Sequence, residues 1–236
     1  MRPGCGKILP REAQIVIPIK DDNPVGRIPV VTVVLIVLNV LVFIFQLFMP
    51  PKVELIFAHH YGVVPAWLTG LGQIAYPPEW FPRFLTLLTY PFLHGGFLHL
   101  GGNMLYLWIF GNNVENAMGR PRFILFYFLG GVLSGLAQVV TAPSSEAPMI
   151  GASGAIAAVL GAYLVLYPQH KVVVLIWLLF FVRLIRIPAL VVLGGWFFLQ
   201  VLGAGGEGVA WMAHIGGFVA GLVLVRFFLP RPMVLH

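Results

Sequence analysis

The sequence is poor in charge and in cysteine. Asp, Glu, Lys and Arg together make up 9% of its 236 residues, whereas a soluble domain usually has about 25%. Hydrophobic residues make up 59% and the mean hydropathy is +0.94, which excludes an ordinary soluble domain and indicates a membrane protein with several spans. The single cysteine, Cys5, excludes an internal disulfide and disfavours a structural zinc site, so packing within the bilayer must hold the fold together.

The net charge of the chain is +6. A positive net charge is common among proteins that bind nucleic acid. The basic residues form no run, however, and aromatic residues do not alternate with them as they do along a nucleic-acid-binding surface. No nucleic-acid partner is therefore expected. The distribution of the basic residues is instead a signal of membrane topology.

Six segments are long and apolar enough to cross a bilayer, which takes about 20 residues per helix. They lie near residues 29–49, 94–113, 122–141, 149–168, 187–204 and 208–229. The sequence therefore predicts an all-α polytopic membrane protein: a six-helix bundle over residues 29–229, with an N-terminal segment of residues 1–28 and a short tail of residues 230–236. The apolar segment from Val172 to Val182 is too short to span and is expected to be interfacial or re-entrant.

An even number of spans puts both termini on the same side of the membrane. Twelve of the 14 Lys and Arg residues then fall on that side, and only Lys52 and Arg83 lie opposite. By the positive-inside rule that side is the cytoplasm. We expect the plasma membrane as the location, with cytoplasmic termini and no cleaved signal, because the first span is too long for a signal-peptide core.

The first two spans are separated by a long loop, over about residues 50–93, that is rich in Trp, Tyr and Pro. Loops of this length are usually functional, and aromatic side chains are frequent at the membrane interface. The loop is therefore expected either to take part in function or to form a passive interfacial cap.

Four polar side chains are expected at one depth in the membrane: His99, Asn103, Ser153 and His214. They belong to the second, fourth and sixth spans, which run in the same direction, and each lies one to two turns below the outer surface at about 1.5 Å per residue. Polar groups at membrane depth face the protein interior and mark function. The other polar residues noted in the spans are Asn39, Ser134 and Gln138.

Small residues four apart predict that the fourth and sixth spans touch, because such faces let membrane helices approach closely. They are Ser153, Ala157 and Gly161 on the fourth span and Gly217 and Gly221 on the sixth. Since His214 lies about one turn above Gly217, Ser153 is expected to face His214. The alternative is a packing surface without chemistry.

A serine hydroxyl becomes a nucleophile when a base takes its proton, and a neutral imidazole within reach can do this and later protonate the leaving amine. Because no Asp or Glu lies in the outer halves of these spans, Ser153 and His214 would form a dyad, with His214 oriented by packing. His99 and Asn103 lie on one helix face and can donate to an oxyanion, together with the backbone N–H of Ser153. The five-residue spacing of His94 and His99 disfavours a metal clamp, and we expect no metal and no cofactor.

Three motifs follow one another in the order of the spans. They are His94-x4-His99-x3-Asn103 in "HGGFLHLGGN", Gly151-x-Ser153-Gly154 in "GASG", and His214-x2-Gly217-x3-Gly221 in "AHIGGFVAG". In this order, and over nearly the whole chain, the sequence resembles the rhomboid intramembrane serine proteases of bacterial or archaeal type.

The resemblance implies a six-helix fold, a dyad of Ser153 and His214, oxyanion contacts from His99 and Asn103, and a structural role for His94. It also implies cleavage of single-span membrane proteins near the outer membrane surface, with substrate access beside the fifth span and the long loop embedded in the outer leaflet. The expected partners are the lipid bilayer and transmembrane substrates with Gly or Pro, because a peptide bond inside an intact helix is shielded by its own hydrogen bonds.

The sequence departs from the family pattern at two places. Leu85-Thr86 stands where the family often has Trp-Arg, and this bears on how the long loop is held. Ala157 stands where an aromatic side chain would stack on the catalytic histidine, and this bears on how His214 is positioned.

Competing interpretations are a rhomboid-like protein that binds membrane helices without cutting them, and a transporter that uses His99 and His214 as a proton relay. The intact polar set argues against the first, and the lack of an internal repeat against the second.

Ser134 is a rival nucleophile, although its span offers no histidine. Glu115 is expected to be an ion-pair or cap partner of Arg120 or Arg122. No role is assigned to His59, His60, His170 and His236.

Overall fold

The computed structural model describes residues 15–23, 26–72, 76, 80–178, 181–203 and 208–230, and most of them are helical. The helices are α1 (Val30–Leu47), α2 (Pro51–Tyr61), α3 (Pro65–Thr69), α4 (Thr86–Thr89), α5 (Phe97–Tyr106), α6 (Asn112–Met118), α7 (Arg120–Thr141), α8 (Ser153–Leu166), α9 (Ala189–Val201) and α10 (Trp211–Phe228). A π-helical segment, Leu107–Gly111, joins α5 to α6, and short 3₁₀ turns lie at Arg83–Leu85 and Tyr90–Phe92. The strands are β1 (Ile15–Asp21), β2 (Lys171–Leu178) and β3 (Phe181–Pro188).

Each of the six predicted spans contains a helix. By length and composition, three of the described helices can cross a membrane: α1, α7 and α10. The second predicted span consists of α5, the π-helical segment and α6, while α8 and α9 are apolar but have only 14 and 13 residues. The fold is thus a mostly helical membrane bundle, and the count of six crossings stays a prediction.

Helix α8 lies at the centre of the bundle. Every residue from Gly154 to Tyr163 is buried, so this helix is apolar on all sides and has no lipid-facing stripe. It packs most extensively against α10 and also against α7. The central position of α8 fixes where Ser153, its first residue, lies relative to the neighbouring helices.

Glycine brings the backbones of α8 and α10 into contact. A Cβ atom at Gly161 would overlap the carbonyl of Phe218, and one at Gly221 would overlap the carbonyl of Ala158. The predicted contact between the fourth and sixth spans is therefore confirmed. On the other side of α8, a Cβ atom at Gly130 of α7 would overlap the methyl group of Ala158.

The prediction of an all-α chain was wrong in one respect. The segment from Val172 to Val182 belongs to a three-stranded antiparallel sheet in the order β1-β2-β3, with Val174 between Pro18 and Ile185. The cause is a run of β-branched residues with alternating environments: Val172 and Val174 are buried against the helical core, whereas Lys171 is exposed. The N-terminal segment, predicted only as an extension before the first span, supplies β1.

Glu115 has a structural role, but its partner differs from the predicted Arg120 or Arg122. Its buried carboxylate accepts hydrogen bonds from the backbone N–H groups of Val31 (3.0 Å) and Thr32 (2.8 Å) and from the Thr32 hydroxyl (2.8 Å). These N–H groups lie in the first turn of α1, where they lack partners within the helix. The carboxylate therefore caps α1 and ties it to α6.

The long loop is held by polar contacts to backbone carbonyls. Arg83 donates to the carbonyl of Trp67 (3.1 Å), and Thr89 donates to that of Tyr61 (2.6 Å). Val63 pairs with Met149 through both backbone bonds, 3.0 and 2.8 Å. The loop is thereby attached to the segment that leads into α8.

Candidate active site

The turn before α8 places Ser153 at the start of the helix. Gly151 has φ +113°, a conformation that side-chain-bearing residues rarely adopt, and its N–H donates to the carbonyl of Tyr90 (3.0 Å). A Cβ atom at Gly151 would overlap the ring of His99. Glycine is thus required here both by backbone conformation and by the close approach of the His99 imidazole.

Ser153 and His214 are in hydrogen-bond contact, with Oγ 2.8 Å from Nε2. Ser153 begins α8, and His214 lies in the first turn of α10. The two helices can come this close because residue 217 is glycine. A Cβ atom at this position would overlap the carbonyl of Gly154. The expected facing of the two side chains is thus present in the geometry, while their catalytic role stays a prediction.

The other ring nitrogen of His214 has a partner that the sequence analysis did not identify. Nδ1 lies 2.6 Å from Oε1 of Gln200, on α9. Gln200 is a single amide in an otherwise apolar fifth span, and this isolated polar residue is the signal that could have found it. The expectation that packing alone orients His214 therefore misses a hydrogen bond.

An aromatic ring also lies beside His214, although Ala157 provides none. The indole of Trp196, on α9, has its centroid 5.9 Å from that of the imidazole, at 38° between the planes. Trp211, in the same turn of α10, approaches edge-on at 6.4 Å. The aromatic contact expected from α8 is thus made from α9 and α10.

His99 and Asn103 line the same cavity as Ser153 and His214. Nδ2 of Asn103 lies 3.0 Å from Nε2 of His94, and a side-chain amide nitrogen carries two hydrogens, so one of them can still point elsewhere. His94 is completely buried, and its backbone N–H and carbonyl pair with the side chain of Gln46 (3.1 and 3.2 Å). These contacts agree with a structural role for His94, which supports Asn103.

The cavity has a volume of about 660 Å³. Apolar side chains, among them Leu98, Met149 and Ile156, form much of its wall, and Ser153 and His214, which are in contact, line it together with His99 and Asn103. No carboxylate occurs among the described residues that line it. The cavity can therefore hold a peptide segment next to a hydroxyl, two imidazoles and an amide.

Ser134, the rival nucleophile, is completely buried in α7 and does not line this cavity. Its hydroxyl donates to the carbonyl of Ala213 (2.7 Å). It thereby links α7 to α10 just before His214.

Residues 82–231 match the family model described as "Rhomboid domain". The chain is 43% identical over 86 residues to rhomboid protease GluP of Bacillus subtilis, covering 36% of this chain and 16% of that protein. It is 32% identical over 154 residues to presenilin-associated rhomboid-like protein A, mitochondrial, of Danio rerio, covering 61% and 38%. It is 28% identical over 151 residues to rhomboid protein 1, mitochondrial, of Saccharomyces cerevisiae, covering 59% and 40%.

The chain thus matches less than half the length of these curated relatives. The family model, by contrast, covers more than half of this chain and includes all three motifs that surround the cavity. This protein belongs to the rhomboid family.

Proposed function

We propose that this protein is an intramembrane serine protease that cleaves single-span membrane proteins near the outer membrane surface. The observation that carries the proposal is the 2.8 Å contact between Ser153 Oγ and His214 Nε2 at the wall of a 660 Å³ cavity. A nucleophile and a base within hydrogen-bond reach are what acyl transfer from a peptide requires. The printed name of one bacterial relative, rhomboid protease GluP, agrees with this activity.

In the proposed reaction, Ser153 Oγ attacks the peptide carbonyl while its proton passes to Nε2 of His214. A C–O bond forms, and the carbonyl π electrons move to the oxygen. The tetrahedral intermediate then collapses, the C–N bond breaks, and His214 gives the proton to the leaving amine. Water, activated by the same imidazole, hydrolyses the acyl-enzyme and restores Ser153.

The developing oxyanion would be stabilised by His99, by Asn103 and by the backbone N–H of Ser153. The side chains of the first two line the cavity beside Ser153. In addition, the N–H groups in the first turn of α8 lack intrahelical partners, and the helix dipole favours negative charge at this end. The site therefore offers several donors to one oxygen.

The protease domain would comprise residues 29–229 with six membrane crossings. The excess of basic residues on one side supports cytoplasmic termini and a plasma-membrane location for a protein of bacterial or archaeal type. Relatives with mitochondrial names occur beside the bacterial one. We therefore place the location within the proposal, whereas membership of a membrane protein family is shown.

The second candidate is a rhomboid-like protein that binds membrane helices without cutting them. It is favoured by the similarity to proteins named rhomboid-like, whose printed names state no protease activity. The two candidates differ in one chemical property, the nucleophilicity of Ser153.

The test uses the full chain, reconstituted in liposomes with a single-span substrate. We expect cleavage, and labelling by a serine-directed fluorophosphonate, to be abolished in Ser153→Ala and retained in Ser134→Ala, because the Ser134 hydroxyl is engaged with Ala213. A substrate with Gly or Pro near the outer end of its span should be cut faster than a uniformly Leu-rich one. Cleavage by Ser153→Ala would overturn the dyad, and binding of substrate without cleavage by the unmodified protein would favour the second candidate.

A further inference from the structure

Two side chains hold the imidazole of His214, one at each nitrogen. Ser153 Oγ is 2.8 Å from Nε2, and Gln200 Oε1 is 2.6 Å from Nδ1. They come from different helices, α8 and α9, and meet the ring from opposite edges. Both contacts together constrain the position and the tautomer of the imidazole.

We propose that Gln200 is a positioning residue that acts as the third member of the site and keeps His214 protonated at Nδ1. This inference rests on the proposed function, since it concerns how the base of that reaction is prepared. A carbonyl oxygen can only accept a hydrogen bond, so Oε1 of Gln200 requires a proton on Nδ1 of His214. The lone pair at Nε2 is then available for the proton of Ser153.

The orientation of the Gln200 amide is supported from its own helix. Its Nε2 donates to the carbonyl of Trp196, one turn earlier, at 3.5 Å. With the amide nitrogen on that side, the oxygen faces the imidazole. The Gln200 amide thus performs the orienting task that a carboxylate performs in a Ser-His-Asp triad, but it places no negative charge in the membrane, where an unpaired carboxylate would be costly.

Gln200 ties the readiness of the base to the position of α9. Of the 13 residues of this helix, Ala189 and Leu193 are buried, and both lie in its first half. Near Gln200 the helix is docked by two rings: Phe197 stacks on Phe218 of α10 at 4.6 Å and 22°, and Trp196 lies 6.0 Å from the same ring. His214 is therefore oriented as described when α9 is seated against α10.

The test compares Gln200→Leu with Gln200→Glu in the full chain. General-base catalysis contributes about 10²- to 10⁴-fold to the rate. Because Gln200→Leu removes the orientation of the base but not the base itself, we expect only part of this to be lost, so that kcat falls by about 10- to 100-fold. KM should stay within about twofold, because the lost bond acts in the transition state and not on bound substrate. Gln138→Leu, the same substitution outside the cavity on α7, is the matched control and should retain the rate.

Gln200→Glu supplies a reading that a merely structural role would not give. A carboxylate accepts the same bond from Nδ1–H, so Gln200→Glu should keep a kcat near that of the unmodified protein at neutral pH, unlike Gln200→Leu. It also favours the imidazolium, so the acid limb of the kcat profile should move to higher pH. The neighbours of His214 include Ser153 from α8, Gln200 and Trp196 from α9 and Trp211 from α10. The titratable side chains that share the cavity with it are His99 and Tyr106 from α5, and Tyr90.

Either an unchanged kcat in folded Gln200→Leu, or an unchanged pH profile in Gln200→Glu, overturns the role of Gln200. If Gln200→Leu fails to fold in detergent, the profile of Gln200→Glu alone decides. Failure of the proposed function has a different signature, which is either cleavage by Ser153→Ala or binding of substrate without cleavage by the unmodified protein. An inactive Ser153→Ala together with a fully active Gln200→Leu would leave the protease intact and remove this inference only.

Discussion

The indole of Trp196 lies beside the imidazole of His214, with 5.9 Å between the ring centroids. The same indole is 6.0 Å from the ring of Phe218, one turn further along α10. Trp196 therefore fills the space between α9 and the first two turns of α10. In doing so it compensates for Ala157, which is completely buried but too small to reach the ring.

We predict that Trp196→Ala lowers the cleavage rate, while Trp196→Phe largely preserves it. Aromatic pairs contribute about 0.5–1.5 kcal/mol beyond their buried area, so the loss for alanine should be up to about tenfold. The rate of single-span substrate cleavage in liposomes is the measurement. Trp108→Ala, at an exposed position on the second predicted span, is the control and should cut at the normal rate. Equal rates in Trp196→Ala and Trp108→Ala would contradict this role for the indole.

The sequence alone was sufficient to find a helix in each of the six predicted spans and four polar residues of the cavity, His99, Asn103, Ser153 and His214. Hydropathy predicted a helix in each of the six ranges. The GxxxG of Gly217 and Gly221 predicted the contact between α8 and α10, and the close approach of the two backbones at Gly221 confirms it. These features depend on local composition and on spacing along one helix, both of which can be read directly from the chain.

The contribution of α9 could not be predicted in the same way. Gln200 and Trp196 reach His214 from another helix, and their approach depends on how α9 tilts and rotates against α10. Such angles are set by packing between helices and not by length or hydropathy. The sheet was missed for a similar reason, because β1 lies about 150 residues before its partner β2 and its pairing is non-local.

The close approach of α8 and α10 gives a second prediction, about glycine. A Cβ atom at Gly221 would overlap the carbonyl of Ala158, which is backbone and cannot rotate away. We expect Gly221→Ala to separate the helices, with a loss of about 1–3 kcal/mol of stability, as is usual for overpacking, and slower cleavage because Ser153 and His214 move apart.

The control for Gly221→Ala is Gly194→Ala on α9, where an added Cβ atom meets nothing within 4 Å. There alanine should be neutral or slightly stabilising, because glycine is a poor helix former. Thermal unfolding in detergent and the cleavage rate measure both variants. If the two variants unfold and cleave alike, the close approach at Gly221 does not limit stability.

A buried acid attaches β1 to the helical bundle. Asp21 is 7% exposed, and its Oδ2 accepts hydrogen bonds from Asn113 Nδ2 (2.7 Å) and from the Tyr163 hydroxyl (2.7 Å). Burial raises the pKa of Asp21 above its ordinary value of 3.8, and the bond from Tyr163 opposes the rise. One side chain thus connects the N-terminal strand to α6 and α8.

The raised pKa of Asp21 makes the stability of the fold depend on pH. Between the ordinary and the raised pKa the folded protein binds more protons than the unfolded chain, so this contribution to the free energy of unfolding falls as pH increases. It is fully present below pH 3.8 and is lost once pH has passed the raised value. Asp21→Asn does not titrate, so we expect the unfolding temperature of Asp21→Asn, relative to the unmodified protein, to increase with pH from about 4 upward.

Thermal unfolding of both proteins in detergent across this pH range measures the difference. Asp22→Asn changes the neighbouring exposed position, whose side chain contacts the backbone of Lys171 at the surface, and serves as the control. It keeps the titrating Asp21 and removes the charge that adds to the rise of its pKa, so its unfolding temperature relative to Asp21→Asn should still fall as pH rises, by less than that of the unmodified protein. A difference between Asp21→Asn and the unmodified protein that stays constant with pH would mean that Asp21 keeps the same protonation on folding, and the cost of burying its charge would then have to be offset by the bonds from Asn113 and Tyr163.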